Sequence, residues 1–563
     1  MFHIRQIITR IAKVSFQKEI EKMYRDKEQN FLQGAAILTV GVIIIKVLGF
    51  IYKFILGNVL GDNGFAYFYS AYSVYNVFLT MTTAGLPVAM SRMIAESNEQ
   101  GYELQMQRTY SVAWWTFLTL GLLSASLMLL LPKQLADMLD RPEAAESIFA
   151  MAPGILFVCL VSAYRGYCQG RKNMTPTTVG QVIEVLIKVV AGLALAIIFI
   201  RQNRPLPVVC AGATFGVTLG SMAVLVYMVW YKKRYYPCLN TKSSDPPMTR
   251  TKTLKTLLNI GIPITIGASG MSLISLIDTK FINNRLQMAA GFDLDGSAAL
   301  YGVFSKAQTL YNLPPAFVTP LVMSVVPAVS AYLASKKWQE AGKTAEDALR
   351  ITLVVCLPMG VGMSIIANSL MNIIYHGSHS SGPLILSIMG IASFFVCFSL
   401  VQNAVLQAHG NERLTIVSLL IGGAIKIAID WILVGIPSIN IYGAPIGTLV
   451  CYIVICILNQ FFINHNYENR PKLKAIVIRP VLSALMMGGV TWGSYRLCRL
   501  MLPNDTRLQD LLVVIIVIFL SALAYVVAVI KTKAFTKEDL EMIPKGKVLI
   551  DKIDNYIHNM GKE

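Results

Sequence analysis

Fourteen apolar stretches, each long enough for the roughly 20 residues that a helix needs to cross a bilayer, fill most of this 563-residue chain. Inside hydrocarbon a backbone must satisfy its own hydrogen bonds, so such stretches are read as spanning helices and the chain as an all-α polytopic membrane protein. Six fall between residues 34 and 231, six between 254 and 464, and two between 465 and 530. Residues 1–33 form an N-terminal segment, 232–253 a basic linker, and 531–563 a tail of mixed charge. Composition agrees: 55% of the residues are hydrophobic and 14% charged, with a mean hydropathy of +0.57. A water-soluble protein of this size has no place to bury that much apolar surface.

The formal net charge of +18 raises the question of nucleic acid, and the location of the charge answers it. With the N-terminus placed in the cytoplasm, most of the 49 Lys and Arg residues fall in segments that face inward. The densest group is Lys232, Lys233, Arg234, Lys242, Arg250, Lys252 and Lys255, between spans six and seven. This is the positive-inside pattern, which puts both termini in the cytoplasm and leaves no surplus of charge to be explained by a nucleic acid. Ile4, Ile7, Ile8, Ile11 and Val14 recur at helical spacing among basic residues, predicting an interfacial helix on the inner leaflet. The first apolar run is too long for a signal core and is interrupted by Lys46 and Lys53, so no cleavable signal sequence is expected.

Chemistry-bearing motifs are absent from the sequence. The nine cysteines include no CxxC pair, and Cys159, Cys356, Cys397, Cys451 and Cys456 lie in apolar runs, where they read as small buried hydrophobes. The six histidines form no metal-ligand pattern, and no GxSxG or phosphate-cradling glycine loop occurs. No cofactor and no metal are expected, and the chain does not read as an enzyme.

Internal repetition is more informative. Gln169, Asn173 and Lys188 recur as Gln407, Asn411 and Lys426, each displaced by 238 residues (407 − 169). The pair Tyr75, Asn76 recurs as Tyr311, Asn312. The repeat predicts two pseudo-symmetric six-helix lobes of like membrane orientation, followed by two C-terminal helices, with a cavity between the lobes.

Lysines inside spans are costly, about 2.5 to 3.5 kcal/mol each at mid-depth, and mark candidate sites. Lys46 and Lys53 stand seven residues apart on one face of the first span, where they contact cargo or reach up to the headgroups. Lys306 belongs to a polar stretch with Gln308 and Asn312, just before Pro314 and Pro315, and either meets cargo or pairs with Asp278. Lys188 has Glu184 four residues before it and Lys426 has Asp430 four residues after. Each pair reads as an intrahelical ion pair or as part of a cargo or ion-coupling site. Pro87, Pro263, Pro320, Pro327 and Pro358 also lie within spans, where they bend helices.

The runs GAAILTVGVIIIKVLGFIYKFILGNVLG, YNVFLTMTTAGLPVAMSRMIAE, YNLPPAFVTPLVMSVVPAVSA and VLQAHGNERL resemble the polysaccharide transport branch of the multidrug/oligosaccharidyl-lipid/polysaccharide exporter superfamily. Within that branch the likeness is to lipid II flippases and stage V sporulation proteins of Gram-positive bacteria, and it covers residues from about 30 to 530. It implies a bacterial plasma-membrane protein that moves a polyprenyl-diphosphate-linked saccharide from the inner to the outer leaflet. Its partners would be that lipid-linked cargo, membrane lipids and cell-wall synthesis proteins. Basic cavity residues of the family fall here on Lys46, Lys53 and Lys306, with Asn76 and Asn312 as polar neighbours. If these lysines together neutralise the diphosphate, replacing each by glutamine is expected to leave folding nearly unchanged, because it removes an uncompensated buried charge, and to lower flipping. A cation-coupled drug exporter of the same superfamily, with Asp278, Glu184 or Asp430 as the ion site, is the alternative, and a membrane glycan ligase a more distant one.

Overall fold

The computed structural model describes residues 31–236, 246–467, 473–502, 506–532 and 534. The interfacial helix expected over Ile4–Val14, Lys242 of the basic linker and the tail beyond 534 lie outside the described residues. Helices account for nearly all of what is described, and thirteen of them are long and apolar enough to cross a membrane. One of the thirteen, Gly41–Glu99, runs to 59 residues, about 88 Å at 1.5 Å per residue, and so is long enough to cross twice.

That long element is α1 (Phe31–Thr83) followed by α2 (Leu86–Glu99). Gly61 interrupts the helical path of α1 at φ 70°, ψ −167°, a region that a side chain makes essentially inaccessible. The break before Pro87 ends α1 at Thr83, and α2 starts with proline in its first turn. The chain continues as α3 (Glu103–Leu130), the short α4 (Pro132–Asp137), α5 (Ala145–Gly170), α6 (Thr175–Arg201), α7 (Leu206–Tyr235) and α8 (Arg250–Met288). The apolar stretch 298–331, long enough to read from its sequence as one span, is two helices, α9 (Leu294–Tyr311) and α10 (Leu313–Ala334), parted at Asn312 by the two prolines near it. Asp293 caps α9, its carboxylate accepting the Gly296 N–H at 3.0 Å. Then come α11 (Trp338–Ile365), α12 (Ala367–Ile374), α13 (Gly382–Ala408), α14 (Glu412–Leu433), α15 (Gly443–Asn466), α16 (Leu473–Met501) and α17 (Arg507–Thr532).

Two compact units emerge. The first holds the described residues up to Tyr52 and those of Ser70–Leu276, and the second holds Lys53–Tyr69 and the described residues from Ile277 onward. In the first, Met90, Ile94, Met106, Phe117, Met128, Ile148, Met151 and Ile155 form a buried core among α2, α3 and α5. There α7 lies directly against α6: a Cβ on Gly216 would sit 2.7 Å from Gly192 and from the Lys188 carbonyl, and one on Gly220 would sit 2.6 Å from the Glu184 carbonyl. Membrane helices pack on small residues because van der Waals contact, not water release, holds them together. In the second unit Val318, Val325, Leu349, Leu353, Val401, Leu406 and Ile463 play the same part among α10, α11, α13 and α15.

The sequence repeat has a structural counterpart. Asn173, after α5, donates to the hydroxyls of Tyr231 and Tyr236 at 3.1 Å, and Asn411, after α13, donates to the hydroxyl of Tyr467 at 2.9 Å.

Candidate functional site

Three helices of the first unit turn polar stripes toward one cavity of about 390 Å3. From α1 come Tyr72, Tyr75, Leu79 and Thr83, from α5 Ser162, Arg165 and Gln169, and from α6 Thr177, Gln181, Glu184 and Lys188. Within each set the residues are three or four apart, so each stripe is one face of its helix. The close α6–α7 contact fixes the α6 backbone at Glu184 and Lys188 and leaves their side chains directed into the cavity.

Arg165, Glu184 and Lys188 are the charged residues that line this space, two cations to one carboxylate. Glu184 does not take Lys188, one turn along its own helix. Its Oε2 accepts from Nη2 of Arg165 at 2.8 Å, with the two side chains 16% and 25% exposed. The Arg165 Nε is buried and has no hydrogen-bond partner. The Lys188 ammonium lies 5.6 Å from the centre of the Tyr52 ring, within cation–π range, and no described carboxylate comes within ion-pair distance of it. Tyr52 is held in turn by its hydroxyl, which donates to the Ala213 carbonyl at 3.1 Å. The cavity therefore offers a guanidinium with an unused donor and an ammonium, among hydroxyls, amides and the apolar side chains of Ile45, Val158, Val185 and Val217.

The other predicted residues occupy different settings. Lys306 is not paired with Asp278. It is buried, 3% exposed, and donates to Asp62 at 2.6 Å and to the Ser378 hydroxyl at 3.0 Å. Asp62 also accepts from Ser378 at 2.9 Å and from the His379 N–H at 2.9 Å, which ties the kink of α1 to the α12–α13 connection inside the second unit. Asp278 instead contacts Lys426, which donates at 2.7 Å to Asp430 as well. Lys46 is exposed along α1, and Lys53 is half-buried with its ammonium 5.1 Å from the centre of the Tyr69 ring. Asn76 is half-buried outside the cavity lining, and the exposed Asn312 turns its amide back to the Gln308 carbonyl at 2.7 Å. Among the described residues no group of three His, Cys, Asp or Glu is placed to hold a metal.

Two residues of these sites escaped the sequence reading. Arg165 sits inside the fourth apolar run, and its spacing from Ser162 and Gln169 marks a polar face. Asp62 falls in the connection between two apolar runs, where an acid draws no notice, although it adjoins the one glycine whose conformation bends α1.

A family model described as polysaccharide biosynthesis protein matches residues 31–333. A lipid II flippase of Bacillus subtilis is 24% identical over 506 residues, 86% of this chain and 92% of that protein. Stage V sporulation protein B of the same organism is 25% identical over 482 residues, 83% of this chain and 91% of its own length. Among solved structures, a lipid II flippase in an inward closed conformation superposes with a TM-score of 0.65 at 15% identity, covering 88% of this chain and 98% of that one. That likeness is one of fold.

Proposed function

We propose, from the premise that this chain belongs to the polysaccharide biosynthesis protein family and is a multi-pass membrane transporter, that it carries a polyprenyl-diphosphate-linked saccharide from the inner to the outer leaflet by alternating access. The observation that carries this reading is the cation surplus of the Arg165, Glu184 and Lys188 cavity. A lipid-linked diphosphate bears about two negative charges, and a charge pair 4 Å apart is worth several times more at a partly buried site than in water. An arginine grips phosphoryl oxygens through two parallel N–H donors, and a lysine supplies a mobile point charge beside it. Hydroxyls and amides of Ser162, Gln169, Thr177 and Gln181 suit the hydroxyl-rich part of such a cargo. We assign Lys46 and Lys53 to further contact with the diphosphate along its path and Asn76 and Asn312 to the saccharide, while the buried pairing of Lys306 with Asp62 favours a role in the fold over the cargo contact expected from the sequence. The distribution of Lys and Arg supports a cytoplasmic position for both termini.

A cation-coupled multidrug exporter is the second reading, and the triad of Asp278, Lys426 and Asp430 favours it, because two carboxylates there share one ammonium. Against it, a cavity with surplus positive charge repels the cationic compounds that such exporters carry. The two are separated by a leaflet-accessibility assay for polyprenyl-diphosphate sugars in proteoliposomes. Arg165→Gln and Lys188→Gln each lower flipping by about tenfold or more, equivalent to roughly 1.4 kcal/mol of lost attraction. Unaltered flipping in the double variant discards the lipid-linked cargo and leaves the exporter reading.

A further inference from the structure

Glu184 is the one acid in a cavity otherwise arranged for anions, and its position is not accidental to that chemistry. It occupies the Arg165 fork through a single bond, Oε2 to Nη2 at 2.8 Å, and leaves the adjacent Nε of the same guanidinium empty. The fork is thus aligned for a two-point acceptor and filled by a one-point one. Lys188, one helical turn from Glu184, has a ring beneath it and no carboxylate among the described residues within ion-pair distance. The α6 backbone at both residues is clamped against α7, so the freedom at this site lies in the side chains. Gln181 stands three residues before Glu184 on the same helix and also lines the cavity, within the local range where it can receive the carboxylate once that leaves Arg165.

We propose that Glu184 is a built-in stand-in for the cargo's phosphate: it holds Arg165 in the empty cavity, is displaced by a diphosphate that bridges Arg165 and Lys188, and thereby excludes single-phosphate headgroups. The proposal rests on the reading of this cavity as the diphosphate site. Its logic is one of exchange. A headgroup with one phosphate can take both donors of the Arg165 fork, but it must displace Glu184 to do so and reaches no further cation, so its gain is small. A diphosphate takes the fork in the same way and places its other phosphoryl group on Lys188, a charge-assisted contact that Glu184 does not make. Phospholipids whose headgroup carries a single phosphate, such as phosphatidylglycerol, are refused by the same device. Glu184 is on this account a specificity residue, with Arg165 and Lys188 as the groups that touch cargo.

The experiment measures equilibrium binding of farnesyl diphosphate and farnesyl monophosphate to the full chain in detergent. The unaltered protein prefers the diphosphate. Glu184→Gln, which keeps shape and removes the competing charge, tightens monophosphate binding by about tenfold and narrows the preference correspondingly, and Glu184→Ala does the same should the glutamine protein accumulate poorly. Arg165→Gln and Lys188→Gln weaken diphosphate binding. If monophosphate affinity is unchanged in both Glu184 variants while Arg165→Gln still weakens diphosphate binding, the stand-in role is overturned and the cavity reading survives. If diphosphate binding is indifferent to Arg165→Gln and Lys188→Gln as well, both fall together.

Discussion

Lys188 and Lys426 hold the same place in the two halves of an internal repeat and have opposite surroundings. Lys188 faces a cavity and rests on the ring of Tyr52, whereas Lys426 is clasped by Asp278 and Asp430. The residue 238 positions after Gly192 is Asp430. In the first unit Gly192 lets α7 come against α6, and in the second Asp430 takes that place, its carboxylate so close to Gly447 that no side chain fits there. The asparagine bridges after α5 and α13 were kept while the charges beside them diverged. A duplicated scaffold can thus keep one lysine as a structural ion and turn the other toward a ligand, and the deciding change is whether an acid stands one turn away on the packed face.

The hardest way to break this contrast is to remove each lysine in turn. Lys426→Met leaves two buried carboxylates without their cation, and stranding one partner of a buried ion pair costs about 3 to 5 kcal/mol. The expected result is a sharp loss of thermal stability in detergent, largely restored by adding Asp278→Asn and Asp430→Asn. Lys188→Met, which leaves no stranded partner, is expected to melt close to the unaltered protein. Equal destabilisation by the two single changes refutes the division of roles.

Lys306 tests whether depth alone makes a lysine available to cargo. From the sequence its replacement by glutamine promised nearly unchanged folding. The structure reverses that expectation, because Asp62 is its counter-charge. Lys306→Gln is expected to cost about 1 to 3 kcal/mol of stability, the penalty for an under-satisfied buried charged group, while Asp62 keeps its bonds from Ser378 and His379. A melting temperature within error of the unaltered protein places the lysine outside the fold's support and back among the cargo residues alone.

Flipping sharpens the comparison from the functional side. In the leaflet assay Lys46→Gln with Lys53→Gln is expected to lower the rate by roughly three- to tenfold, a change of under about 1.4 kcal/mol, with arginine at both positions retaining more activity than glutamine. A rate unaffected by both glutamines removes the first helix from the cargo path. The smallest effect is reserved for Tyr52→Phe. It deletes the hydroxyl bond to the Ala213 carbonyl and costs about 1 kcal/mol in stability, yet it leaves the ring under Lys188 and is expected to leave flipping near its normal rate. Lost flipping at unchanged stability assigns the hydroxyl itself to the cargo.

Much of this was legible in the sequence, and what was not follows a rule. Hydropathy located the spanning helices because crossing length is a property of consecutive residues. The Lys426–Asp430 contact is local, four residues along one helix, and spacing alone pointed to it. Glu184 had an equally good local candidate in Lys188 and took Arg165 across the helix interface instead. Lys306 had a candidate on the neighbouring span and took Asp62, 244 residues earlier in the chain. Periodicity assigns a face to a residue but does not say which residue of another helix meets that face. Gly61 was hidden for a related reason: its backbone angles belong to a kink inside a continuous helix, while hydropathy reports only a pause between two apolar runs.

The order in which the ribosome delivers these pieces adds a demand of its own. Residues 53–69 belong to the second unit, yet they are made before most of the first. At roughly 5 to 20 residues per second, the 244 residues between Asp62 and Lys306 take about 10 to 50 seconds to synthesise. Throughout that interval a carboxylate at the end of the first span waits in the membrane for an ammonium that does not yet exist. The nascent chain must therefore tolerate, or be helped to tolerate, an unneutralised acid at the water boundary, which makes the early biogenesis of the first hairpin the step most exposed to error.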